Sequence, residues 1–255
     1  MSSKALGRKT VIDGFQQSGS YKCLFPRAQD LGLEAVLLNT AGGITGGDQF
    51  RFTGQIAPDT TVTLTTQACE RVYKAQPGQV GTVRNTIKVG RRARLNWLPQ
   101  ETILYDNSAL NRRLIVDLDP GAQALVVEPL IFGRQAMGET LGDIRLWDHI
   151  ELRLGNQPLF LDAIRFEGDL NAHLGRPDIG GGAGAMALVI LASTSAGGLL
   201  QAVREILPDT GGASLIREGL MVVRILAPSG FALRRILLPV LRRLNSETLP
   251  RCWML

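Results

Sequence analysis

Histidine is scarce in this chain: 255 residues contain two, His149 and His173. They lie too far apart in sequence to form a local ligand pair, which argues against a tight histidine-based metal site. Three cysteines, Cys23, Cys69 and Cys252, are widely spaced and odd in number. They fit neither a disulfide framework nor a paired CxxC zinc site, and read as ordinary buried thiols. Aromatic residues make up 5% of the chain, and the net charge of +5 comes from arginines scattered along it. Nucleic-acid binding needs a concentrated basic face with stacking platforms, so that class is set aside. The longest apolar run, Ala183 to Ala192, is broken only by Gly184 and falls well short of the ~20 residues that span a bilayer. No membrane helix is expected. MSSKALGRKT has a basic start without an apolar segment behind it, so a cytoplasmic location is the expectation. No linker composition and no fixed repeat interrupt the chain, which reads as a single domain over residues 1–255.

What is present is hydrophobic content of 45%, enough for a sizeable core, arranged mostly with a period of two. FRFTGQI (Phe50 to Ile56), TVTLTTQ (Thr61 to Gln67), ALVVEPLIF (Ala124 to Phe132) and IELRL (Ile150 to Leu154) predict half-buried strands. DPG at Asp119, GNQP at Gly155 and APSG at Ala227 supply turns, and the alternation suggests a chain of hairpins. Two segments have helical periodicity instead. Gly197 to Leu207 places Leu199, Leu200, Val203, Ile206 and Leu207 on one face before Pro208. Ser229 to Leu244 starts on a capping serine and carries an apolar stripe from Phe231 to Leu244, with Pro239 expected to kink it. The region Gly168 to Gly184 reads as loose.

Asn39 to Gln49, NTAGGITGGDQ, raises the question of phosphate binding. Gly42 and Gly47 have P-loop spacing, but Asp48 and Gln49 follow where Lys and Ser or Thr are required. Gly180, Gly182 and Ala185 match a loose dinucleotide pattern in reversed context, with a strand-like segment after it. Ser195 lacks the glycine needed at 193 for a nucleophile elbow. Carboxylates beside glycines, prolines or strand ends remain: Asp48, Glu101, Glu128 and Glu139. The alternative function is a β-helical carbohydrate-active enzyme using a pair such as Glu101 and Asp106, although the supply of sugar-stacking aromatics is thin.

LNTAGGITGGDQF, LTTQACERVYKA, LPQETILYDNS and EPLIFGRQAMGE, in this order, resemble the urease accessory protein family UreD, also called UreH. IRLWDHIELRL, SAGG and the closing LPRCW extend the resemblance over nearly the whole chain. It implies an all-β, helicoidal (β-helix-like) stack of many short strands with two α-helices in the C-terminal part. It also implies a protein that is not an enzyme, but a scaffold that binds apo-urease and, through UreF, recruits the GTPase UreG. Nickel would be cargo in transit, passing through an internal tunnel, and a dimer within the accessory complex is compatible with this picture. By matching motifs, Asp48, Glu101 and Glu139 become candidate contacts along the nickel path. Gly42, Gly43, Gly46 and Gly47 would shape the loop that aims Asp48. Oxygen ligands suit a cation that must be released as well as admitted. Arg134 is read as pairing with a carboxylate, with contact to a partner protein as the alternative. The second helix and the tail to Leu255 supply candidate UreF contacts: Phe231, Arg234, Arg235, Arg242, Arg243 and Trp253.

Overall fold

The computed structural model describes residues 1–28 and 30–254; Leu255, the end of the candidate tail, lies outside the described residues. Along the chain run β1 (Ser2–Leu6), β2 (Lys9–Gly14), β3 (Tyr21–Leu24), β4 (Leu33–Asn39), β5 (Gln49–Ile56) and β6 (Thr61–Thr66). Then follow β7 (Glu70–Val72), β8 (Gly81–Val89), β9 (Arg94–Leu98), β10 (Thr102–Leu104), β11 (Ala109–Leu118) and β12 (Gln123–Phe132). The remaining strands are β13 (Ile144–Leu154), β14 (Gln157–Gly168), β15 (Ala185–Ala192), β16 (Gly211–Arg217) and β17 (Leu220–Ala227). The helices are α1 (Leu170–Gly175), α2 (Ala196–Ile206) and α3 (Gly230–Leu244).

The strands form two sheets, and the middle of the chain passes from one to the other and back. One sheet has the order β14-β13-β11-β8-β5-β1-β2; the other runs β16-β17-β15-β12-β9-β6-β4-β3, with β10 and β7 beside it. β4, β6, β9 and β12 pair in parallel, as do β5, β8, β11 and β13. The result is a β-solenoid-like stack, all-β and helicoidal, in which equivalent residues lie above one another. Ile44, Val72, Leu104 and Phe132 form one such buried column, at about thirty residues per coil. Coil length varies while register holds, which hides the repeat from a search for a fixed period.

The hairpin expectation is therefore corrected. GNQP does join an antiparallel pair, β13 and β14, but DPG connects β11 in one sheet to β12 in the other, and APSG leads from β17 into α3. Alternation reports that one face of a strand is buried; it is the same whether the neighbour runs parallel or antiparallel.

Ser229 caps α3 by accepting the Ala232 N–H at 3.2 Å, and Pro239 stands inside the helix without ending it. Leu233, Leu237, Val240, Leu241 and Leu244 are buried against β12, β15 and β17, together with Val203 of α2. Phe231 departs from the expected stripe and is 75% exposed, while Leu233, two residues on in the same helix, is fully buried. The third helix, α1, occupies part of the region read as loose; Asp169 caps it through the Ala172 N–H at 2.8 Å.

Candidate functional site

The loop between β4 and β5 is built by its glycines in two ways. Gly42 and Gly47 have φ of 84° and 87°, in the left-handed region that costs glycine little. Gly43 and Gly46 are needed for space: a Cβ on Gly43 would collide with the Tyr73 ring, and one on Gly46 would lie 2.6 Å from Gln79 Cβ. Asp48 closes the loop by accepting the Thr45 N–H at 2.8 Å. Its half-buried side chain borders an open groove of about 920 Å³ between the ends of the two sheets.

Two smaller voids adjoin this groove, and Tyr21 borders all three. One, of about 160 Å³, is lined by Asn39, Cys69 and Glu70. Burial raises the Glu70 pKa against the opposing hydrogen bonds from the Arg71 N–H and the Asn39 side chain. The other, of about 50 Å³, lies between the sheets and is lined by Glu70, Asn85, Gln100, Arg112 and Glu128. Asn85 Oδ1 and Gln100 Nε2 are buried without a protein partner, and the void has room for a water or two to bond them. The Cys23 thiol, buried in the core, is pushed up to about 11 by desolvation, while Cys69 and Cys252 are half-buried.

At the floor of the small void lies a buried ionic cluster. Arg112 on β11 donates from Nε to Asp148 Oδ1 at 2.9 Å, and makes a second contact with Asp148 Oδ2. Its Nη1 is 2.6 Å from Glu128 Oε2 and 3.2 Å from Thr102 Oγ1. The Trp97 indole N–H donates to Glu128 Oε1 at 2.7 Å. Desolvation pushes the Glu128 carboxyl up to about 7, against the pull of Arg112. Arg112 faces two carboxyl groups from two different strands here, so the cluster ties the two sheets together beside the void. Arg112 and Asp148 escape a reading by motif, yet the signal is there. Each interrupts the apolar phase of its strand, in Leu110–Arg112–Leu114–Val116 and Leu146–Asp148–Ile150–Leu152.

The structure does not bring Asp48, Glu101 and Glu139 together. Glu101 is buried and accepts from Arg234 Nη1 at 3.0 Å. Glu139 accepts from Arg134 Nε at 2.9 Å and Nη2 at 3.0 Å and from two backbone amides, which holds its carboxyl down at about 2, with the Arg134 side-chain bonds the largest cause. Asp106, the partner suggested for Glu101 in a hydrolase, accepts the Gly142 and Asp143 N–H groups. Glu101, Asp106 and Glu139 border none of the three voids. Among the described residues no three His, Cys, Asp or Glu side chains cluster to hold a metal ion.

The candidate UreF contacts divide. Trp253 is fully buried, its indole N–H donating to the Leu98 carbonyl at 2.9 Å. Arg234 bonds Gln100, Glu101 and the Trp253 carbonyl and lies 5.0 Å from the Trp253 ring centroid. Arg242 is half-buried, with Nη2 at 3.3 Å from Met254 Sδ. Phe231, Arg235 and Arg243 are exposed.

Comparison with known proteins points to one family. The family described as UreD urease accessory protein matches residues 2–254. A urease accessory protein UreD of Ruegeria pomeroyi is 54% identical over 253 residues, covering 99% of this chain and 98% of the relative. The UreD of Roseobacter denitrificans is 46% identical over 255 residues, covering 100% of this chain and 93% of its own length. UreD 1 of Brucella abortus is 42% identical over 249 residues, with 96% and 89% covered. With relatives this similar along almost their full length and a family match spanning the described fold, the chain belongs to the UreD urease accessory protein family.

Proposed function

We propose that this urease accessory protein is a non-catalytic cytoplasmic scaffold, a single domain that binds apo-urease and, with UreF and UreG, supports nickel delivery to the urease active site. The observation that carries the reading is an open groove and two smaller voids that share Tyr21, bordered between them by Asp48, Glu70 and Glu128. Carboxylates beside water-sized space offer a divalent cation weak oxygen ligands. Nickel is cargo on this path. Glu101 and Glu139, held by Arg234 and Arg134, would act on the path only after those bonds open. No helix among the described residues is long and apolar enough to cross a membrane. Phe231, Arg235 and Arg243 are the parts of the α3 region open to UreF; Arg234, Arg242 and Trp253 would contribute chiefly by holding that region in place.

The test is co-expression of urease subunits, UreF and UreG with the wild-type chain or with Asp48→Asn/Glu70→Gln, reading urease activity, nickel content and co-purification. Reduced nickel content in an assembled complex is the expected result. Full activation by the double variant would remove the interior path, and failure of the wild-type chain to co-purify with urease or UreF would remove the scaffold.

A further inference from the structure

The solvent face of the first sheet carries a column of basic residues. Arg51 on β5 is in register with Arg84 on β8, Arg84 with Arg113 on β11, and Arg113 with His149 on β13. Neighbouring strands are about 4.8 Å apart, and like charges directly opposite one another on a sheet cost stability. A core requirement does not explain them, since all four alternate with buried residues and point away from the interior.

Internal neutralisation is confined to one end. Glu151 is shared by Arg153 at 2.7 Å, Arg113 at 3.2 Å and His149 at 3.5 Å. Arg84 donates to the Val83 and Asn111 carbonyls, and neither it nor the exposed Arg51 has a carboxylate partner among the described residues. β5 is paired on its other side only at Gln55, so the column ends at an open strand edge. Two residues from His149 along β13, and so on the same face, stands half-buried Trp147, its indole N–H on Glu167 at 3.1 Å and the Arg165 guanidinium 6.0 Å from its ring. Tryptophan beside arginines is the composition of protein interface centres.

We infer that the Arg51–Arg84–Arg113 column and the adjoining Trp147 form a docking face for a carboxylate-rich protein surface. The inference rests on the reading that this protein works by holding partner proteins, and adds which face it uses and what chemistry meets it. A protein fits better than nucleic acid: Glu151 and Glu167 lie within the face and would repel a continuous phosphate backbone, whereas mixed charge is ordinary in a protein interface.

The test uses the full chain and two labelled probes at low salt, an oligoglutamate peptide and a DNA duplex, followed by fluorescence anisotropy. Expected are peptide binding that weakens as salt rises and a drop of about tenfold or more for Arg51→Glu/Arg84→Gln. Arg51→Glu alone should fall between the two, and Arg51→Lys should stay near wild type. Thermal melts guard against misfolding, with exposed Arg51 the safer position. Unchanged peptide affinity in Arg51→Glu, no peptide binding by the wild type, or tighter binding of the duplex each overturns the proposal. The same variants are titrated against apo-urease and UreF. If the wild type binds neither while the peptide pattern holds, the scaffold reading fails and the docking face stands.

Discussion

Arg112 and Arg113 are neighbours in sequence on one strand, and they live in opposite surroundings. Arg112 points between the sheets, with Asp148 opposite it in register and Glu128 reaching from the other sheet. Arg113 points to solvent and leans on Glu151, with its side chain 44% exposed. The two ion pairs have similar chemistry and very different consequences. Inside, every partner has lost its water, so removing one member leaves uncompensated buried charge. Outside, water and salt take over from a lost partner. One step along a strand thus separates a residue that the fold depends on from one that is free to meet something else.

The sharpest way to break this contrast is Arg112→Met, which leaves Glu128 and Asp148 facing each other without their cation. It should cost about 3–5 kcal/mol in denaturant unfolding. A loss under about 1 kcal/mol would mean that the interior is wetter than its burial indicates. Next, Arg112→Met combined with Glu128→Gln and Asp148→Asn should recover a large part of that loss, because the residual charge is gone; additive losses would contradict the account.

Acidity offers a third comparison. Glu128 is raised from its ordinary 4.5 to about 7 by burial, so the folded state holds its proton more tightly. Its contribution is fully present below about pH 4.5 and is lost as pH rises through 7. Glu151 is lowered to about 2, chiefly by Arg153, so its contribution is present above pH 4.5 and lost as pH falls toward 2. Melting curves across pH should therefore show Glu128→Gln flattening the decline toward neutral pH and Glu151→Gln flattening the acid limb. The smallest effect belongs to Arg113→Met, below about 1 kcal/mol in the same unfolding measurement. A larger loss would move Arg113 from the docking face into the structural framework.

Strand positions and both longer helices were legible in the sequence because burial imposes a period. Phe50 to Ile56 lies within β5, and Ser229 caps α3 where a helix start was expected. Strand direction was not legible, since Leu64, Trp97 and Val126 would alternate with their neighbours in any pairing and only the fold stacks them. Candidate site residues fared according to how local their bonds are. Arg134 and Glu139, five positions apart, could be read as a pair, whereas Arg234 reaches Glu101 from the far end of the chain. Arg112 and Asp148 needed a different question, namely which polar residues sit in an apolar phase.

The column Ile44, Val72, Leu104 and Phe132 has a consequence for how the molecule comes apart. A coil that leans only on the coils above and below it loses support from one side when its neighbour frays, while the far end, roofed by α2 and α3, is untouched. Disorder therefore has a direction, entering at the uncovered rim near β2 and β3 and advancing layer by layer. The rim can loosen while the roofed end stays shut.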